Sequence, residues 1–161
     1  MRRKTLAVNQ QSDRGASPRA AAAAATITVT TDGPLVVYGS IEMVRDNGHV
    51  ATVARVTLCR CGASTHKPLC DGSHRSTGFR EAGAVATPVS KPGDPLGDST
   101  TLRVLARTDG PLWIEGGMQV VEGSGAIRWE GSAAALCRCG ASARKPFCDG
   151  AHKTIGFRSG T

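Results

Sequence analysis

Apolar and polar residues alternate in short runs along this chain, and the runs are broken by Gly, Pro, Asp and Asn with no sustained helical period between them. Ile27-Thr28-Val29 and Leu35 to Tyr38 read as two strands joined by the turn Thr31-Asp32-Gly33-Pro34, and Thr52 to Leu58 reads as a third. Leu102-Arg103-Val104, Leu112 to Glu115 and Ile127 to Glu130 read the same way further on. Asp71 and Asp149 stand where they would cap a short helix of a turn or two, which Gly78 and Gly156 would stop. The expected class is small α+β, mostly β.

The alternation is the visible part of an internal repeat, because residues 27–83 and 102–160 run in parallel from end to end. Thr31-Asp32-Gly33-Pro34-Leu35 matches Thr108-Asp109-Gly110-Pro111-Leu112, with Ile27-Thr28-Val29 set against Leu102-Arg103-Val104. Leu58-Cys59-Arg60-Cys61-Gly62-Ala63-Ser64 matches Leu136-Cys137-Arg138-Cys139-Gly140-Ala141-Ser142. Lys67-Pro68-Leu69-Cys70-Asp71-Gly72 matches Lys145-Pro146-Phe147-Cys148-Asp149-Gly150. The expected organisation is a basic, alanine-rich disordered leader over 1–26, a first module over 27–83, a linker over 84–101 and a second module over 102–160. Pro88, Pro92, Pro95, Gly93 and Gly97 mark the linker as extended.

Composition adds a constraint. With aromatic residues at 4% and 20 glycines in the chain, large core-filling side chains are scarce. Modules of about 60 residues then need a metal, disulfides or a partner module. Six cysteines would allow three disulfides, but Met1 to Thr26 has no continuous apolar stretch of the kind a secretory signal or membrane span requires, so an oxidising compartment is not indicated and no membrane anchor is expected. A cytoplasmic location is expected, with the mitochondrial matrix or another organelle as the alternative if the leader is a transit peptide. Four of the net +7 charges fall in that leader, and much of the rest lies beside the cysteines. Few aromatics are available to stack bases, so nucleic acid is not the expected partner.

Cys59, Cys61, Cys70 and His74 recur at identical spacing as Cys137, Cys139, Cys148 and His152. His66 is replaced by Arg144 in the second copy and His49 has no histidine counterpart, so only two of the four histidines track the thiols. Thiolates are strong ligands for iron and zinc, and a neutral imidazole nitrogen is a protonatable fourth donor. A histidine one turn after Cys70 faces back toward it, so these two suit one metal while the C-x-C pair takes another. One closed zinc site per half is the rival reading, although paired zinc ligands favour two intervening residues and here there is one. Asp71, Ser73 and His74 are too close in sequence to form a catalytic triad, Ser73 becomes Ala151 in the other half, and no phosphate-binding glycine pattern is present, so an enzyme is not expected.

The stretch from Cys59 to His74, with Ser64, Pro68, Cys70, Asp71, Gly72, Ser73 and His74 in place, resembles the CDGSH iron-sulfur domain of mitoNEET-like proteins. Ser142, Pro146, Cys148, Asp149, Gly150, Ala151 and His152 repeat the pattern. The resemblance implies a redox-active [2Fe-2S] cluster held by three cysteines and one histidine in each half, two clusters per chain. It further implies an intrachain pseudo-dimer with a β-cap and two cluster-binding loops, each followed by a short helix. The chain is then expected to be a monomer with an internal pseudo-two-fold. It would serve electron transfer and/or cluster storage and transfer, with a redox partner or an apo iron-sulfur acceptor protein. Arg60, Lys67, Arg75 and Arg80, with Arg138, Lys145, Lys153 and Arg158, are either cations that raise the potential or solvated surface charges. Trp113 and Trp129 read as core filling, and Phe79 and Phe157 as shields of a cluster or packing for the cap.

Overall fold

The computed structural model describes residues 25–45, 47–87 and 100–159; the expectations for the leader through residue 24 and for linker residues 88–99 lie outside the described residues. Six strands form one sheet: β1 (Ala25–Val29), β2 (Leu35–Val44), β3 (Val50–Leu58), β4 (Thr101–Ala106), β5 (Leu112–Glu122) and β6 (Ile127–Leu136). β2 with β3 and β5 with β6 are antiparallel hairpins. The short strands join them crosswise. β1 runs antiparallel to β2 and parallel to β5, with Val29 opposite Leu35 and Ala25 opposite Met118. β4 makes the same two pairings from the other side, with Ala106 opposite Leu112 and Leu102 opposite Ile41.

These registers correct the expected alignment of the repeat. Ile27 occupies the place of Val104 and Ala25 that of Leu102, two residues away from the match read off the sequence. A strand's side chains alternate with period two, so a two-residue slip leaves every apolar residue on the same face and only the ladder settles it.

The long strands also exceed the expected ones, which ended at Tyr38 and Glu115. Gly39 and Gly116 are not breakers. They sit in β-bulges, where the register shifts between Tyr38 and Ile41 and between Glu115 and Met118. The bend lets one edge of β2 take β1 along its first part and β4 along its second.

Apolar residues on the inward face of all six strands form one shared core, in which Ile27, Leu35, Ile41 and Leu58 join Leu102, Leu112, Met118 and Leu136 with essentially no exposure. Each half alone would leave its part of this surface wet, so the halves stabilise each other by burial at about 25 cal/mol per Å² of apolar area. Trp129 packs against the core, edge-on to Phe147 with ring centroids 5.5 Å apart. Its ring covers Gly131, where an added Cβ would meet it at 2.6 Å. The matching pair in the first half is Ala51 and Val53, so a large and a small residue trade places between the copies. Gly131→Val is therefore expected to destabilise by roughly 1–3 kcal/mol through overpacking. Trp129→Ala added to it should recover part of that loss in urea midpoints, and additive losses would contradict the size exchange.

Trp113 differs from its expected core role. Its half-buried ring carries the Arg107 guanidinium at 5.7 Å, and its Nε1 donates to Glu115 Oε1 at 2.8 Å. The helical segments lie at the lower end of the expected turn or two. The first half has only a 3-10 turn, Ser73–Arg75, and the second a four-residue helix, α1 (Ala151–Thr154). Gly72 and Gly150, in left-handed conformation, occupy the capping positions instead of the aspartates before them.

Candidate metal centres

Each candidate centre is assembled where the chain leaves the last strand of a hairpin and doubles back. Cys59 follows β3 directly, and its N–H donates to the Pro68 carbonyl at 2.8 Å, while the Cys70 N–H donates to the Thr57 carbonyl at 2.9 Å. Leu58 and Leu69 form the antiparallel bridge between them. The second half repeats the arrangement, with Cys137 N–H to Pro146 O at 2.7 Å and Cys148 N–H to Ala135 O at 2.8 Å. This return brings the third cysteine alongside the C-x-C turn.

The side chains of the motif hold the loop in that shape. Buried Ser64 donates from Oγ to the Leu69 carbonyl at 2.6 Å, and its Oγ accepts the His66 N–H at 3.0 Å; Ser142 does the same with Phe147 and Arg144. Asp71 accepts the Thr65 N–H at 2.8 Å on one carboxylate oxygen and the Ser73 N–H at 3.0 Å on the other. Asp149 accepts from Ala143 and Ala151 in the same way. These hydrogen bonds hold both carboxyls below the usual carboxylate range, the Ser73 hydroxyl contributing most at Asp71 and the Ala151 N–H at Asp149. The aspartates thus tie the loop to the turn that carries the histidine, although neither is the capping residue.

The thiols and imidazoles fall into pairs. Cys59 Sγ and Cys61 Sγ are 3.8 Å apart, and Cys137 Sγ and Cys139 Sγ 3.7 Å. Cys70 Sγ lies 3.5 Å from His74 Nδ1, and Cys148 Sγ lies 3.4 Å from His152 Nδ1. Two thiolates bound tetrahedrally to one metal at about 2.3 Å sit about 3.8 Å apart, and a thiolate with an imidazole nitrogen about 3.6 Å apart. Every pair has the spacing of two ligands on one metal, and all six cysteines are free. Among the described residues, no three His, Cys, Asp or Glu side chains converge on a single ion position. His66 is turned outward with its side chain 77% exposed, and His49 is exposed.

Burial pushes the Cys61, Cys137 and Cys148 thiols up, so metal binding has to strip protons from them and weakens as the solution becomes acidic.

Sequence reasoning missed the buried state of Arg60 and Arg138, which are 1% and 2% exposed. Arg60 Nε donates to the Gly33 carbonyl at 2.9 Å and Nη2 to the Thr30 carbonyl at 2.6 Å, and the guanidinium lies 5.2 Å from the Phe79 ring centre. Arg138 Nε donates to Gly110 O at 3.0 Å and its Nη2 to Arg107 O, with Phe157 at 5.7 Å. Each arginine of a C-x-C turn therefore clamps the Thr-Asp-Gly turn of its own half. Its recurrence between both cysteine pairs was the available signal. Burial lowers the Arg60 pKa, and Glu81, Cys137, Asp32 and Cys61 oppose that shift. Arg60 Nη1 is buried with no hydrogen-bond partner among the described residues. A buried cation with an unsatisfied donor beside thiolates is an environment that an anionic metal centre compensates, so the donor set and its surroundings fit an iron-sulfur group.

The two centres abut through their backbones. An added Cβ at Gly140 would meet the Cys61 carbonyl oxygen at 2.5 Å, and one at Gly62 would collide with the Cys139 carbonyl oxygen. Contacts also cross between the halves in side chains: Lys145 Nζ pairs with Glu81 at 3.3 Å, and Lys67 Nζ lies 5.8 Å from the Phe157 ring centre.

Downstream, Arg158 Nη1 pairs with Asp109 at 2.7 Å, and Asp109 also accepts the Ser159 N–H at 2.7 Å. The Arg158 bond is the main reason its carboxyl lies below the ordinary range. A depressed carboxyl adds stability that is complete above the unfolded value of about 4 and is lost as pH falls from there through the lower folded value. Asp109→Asn should accordingly lower the urea midpoint at pH 7, and the gap from the parent should narrow toward pH 3; a gap constant with pH would contradict the ion pair.

A comparison with curated proteins gave no match. A family model described as iron-binding zinc finger, CDGSH type, matches residues 32–75 and again residues 109–153. Those two stretches span more than half of the chain and contain every thiol and histidine of both paired sets, so the chain belongs to the CDGSH-type iron-binding zinc finger family and carries its domain twice.

Proposed function

We propose that the chain holds two [2Fe-2S] clusters, one on Cys59, Cys61, Cys70 and His74 and the other on Cys137, Cys139, Cys148 and His152. In this reading it works as an electron carrier or cluster donor and transforms no substrate. The observation that carries the reading is the pairing of the ligands. Spacings of 3.8 and 3.5 Å within pairs suit two metals per half, whereas one zinc per half needs all four donors around a single point. The crosswise placement of β1 and β4 supports a monomer in which two halves form an internal pseudo-dimer.

When bound, such a cluster accepts and returns one electron. The residues around it act through charge and proton position. Arg60 and Arg138 place buried guanidinium groups at each C-x-C turn, which favours added negative charge. With Nδ1 turned to its cysteine, Nε2 of His74 and of His152 is the nitrogen left to take a proton when negative charge is added.

Iron and acid-labile sulfide counting on protein from iron-replete cells tests the reading directly. The expected result is a red-brown protein with roughly four irons and four sulfides per chain. A colourless protein with one zinc in each half would overturn it. Incubation with an apo-ferredoxin then separates delivery from electron carriage, because only delivery leaves the donor colourless.

A further inference from the structure

The repeat is its own control, and the two halves differ most usefully at one surface. An open cleft of about 590 Å³ in the second half is walled by His152 and Phe157 and lined by Arg107, Lys153 and Arg158, with Asp109 among them. Arg107, Lys153 and Arg158 are all exposed. Ile155, on the same turn as Lys153, is 54% exposed. By register, the first half has Thr30 where the second has Arg107, and Thr77 where it has Ile155. The cleft thus sets three cations against one carboxylate, where the corresponding first-half positions set two against one.

We propose that this face of the second half is a docking surface for an acidic protein partner, which would reach the chain at the His152 side and not at the corresponding face of the first half. An exposed branched side chain two residues from one of the cleft's exposed cations suits a small protein contact, in which the apolar residue supplies burial and the cations supply orientation and speed of encounter. The Asp109 carboxylate inside the cleft disfavours a continuous phosphate backbone, and no row of exposed aromatic rings is present there to stack bases. An acidic protein can oppose the cations individually and leave Asp109 with Arg158. The nature of the partner as a redox protein rests on the cluster-carrying function proposed above; the asymmetry of the surface does not.

The test is a calorimetric titration of the full holo-chain with a purified acidic plant-type ferredoxin. Binding is expected at low ionic strength and should weaken steeply as salt is added, because the opposed charges are exposed. Arg107→Thr and Ile155→Thr, which install the first-half residues, should each weaken it roughly tenfold. Arg75→Thr, the first-half counterpart of a Lys153→Thr change, should alter it less than twofold. All these side chains are exposed, and circular dichroism verifies the fold of each variant; if one fails to fold, the other still decides. Absence of binding at low salt, equal losses from Arg75→Thr and Lys153→Thr, or displacement of the ferredoxin by a single-stranded RNA would overturn the proposal. Iron and sulfide counted on the same sample keep the questions apart: a sulfide-free chain sinks the cluster reading, and a cluster-bearing chain that ignores the ferredoxin sinks only the docking surface.

Discussion

Gly62→Ala and Gly140→Ala are expected to damage both metal centres at once. Each glycine has a φ of +81°, where a Cβ costs about 1–2 kcal/mol. The larger penalty is steric, since the new methyl group is driven into the carbonyl of the opposing C-x-C turn, and that obstacle is backbone with no rotamer to escape into. Overpacking adds roughly 1–3 kcal/mol, so a total of about 2–5 kcal/mol is expected. For a chain of this size each kcal/mol moves the melting temperature by about 2–4 °C. Gly78→Ala separates the two causes, because Gly78 has φ +68° but no atom within 4 Å of the added Cβ. Its loss should stay near 1 kcal/mol. Thermal melts decide the matter together with iron content: equal losses from Gly62→Ala and Gly78→Ala would remove the backbone contact from the argument. Iron lost from the mutated half alone would show that the centres are independent.

Arg60→Met and Arg138→Met should be the next most harmful changes. Methionine fills much of the same space and leaves the buried Gly33 carbonyl without its donor, while the part-buried Thr30 carbonyl keeps only the Gly33 N–H at 3.4 Å. An unsatisfied buried acceptor costs about 1–3 kcal/mol, and a loss of that size is expected in urea unfolding. Lysine should not rescue, because its single ammonium cannot reproduce a fork that spans two carbonyls while lying over Phe79. A loss below about 1 kcal/mol for Arg60→Met would mean that the turn holds itself, as an exposed charge would allow. If the arginines also favour negative charge at the centres, variants that retain iron should show lower midpoint potentials than the parent.

Period and spacing revealed much of this molecule. Alternation predicts the strands, breakers predict the turns, and the repeat separates His74 and His152 from His49 and His66. The pairing of cysteine with histidine was also legible, since a residue one turn beyond Cys70 faces back toward it, and Nδ1 is found 3.5 Å from Sγ. The tertiary structure alone decided the remainder. Gly39 and Gly116 look like breakers in sequence but bend a continuing strand, because whether a glycine ends a strand or bulges it depends on what pairs beyond. The exchange of β1 and β4 between hairpins, the approach of Gly62 to Cys139 and the burial of Arg60 and Arg138 join residues far apart in the chain. Local pattern determined which residues are strand, turn and candidate ligand. Long-range closure of one shared core determined that the two halves face each other, because neither half has enough apolar surface to bury by itself.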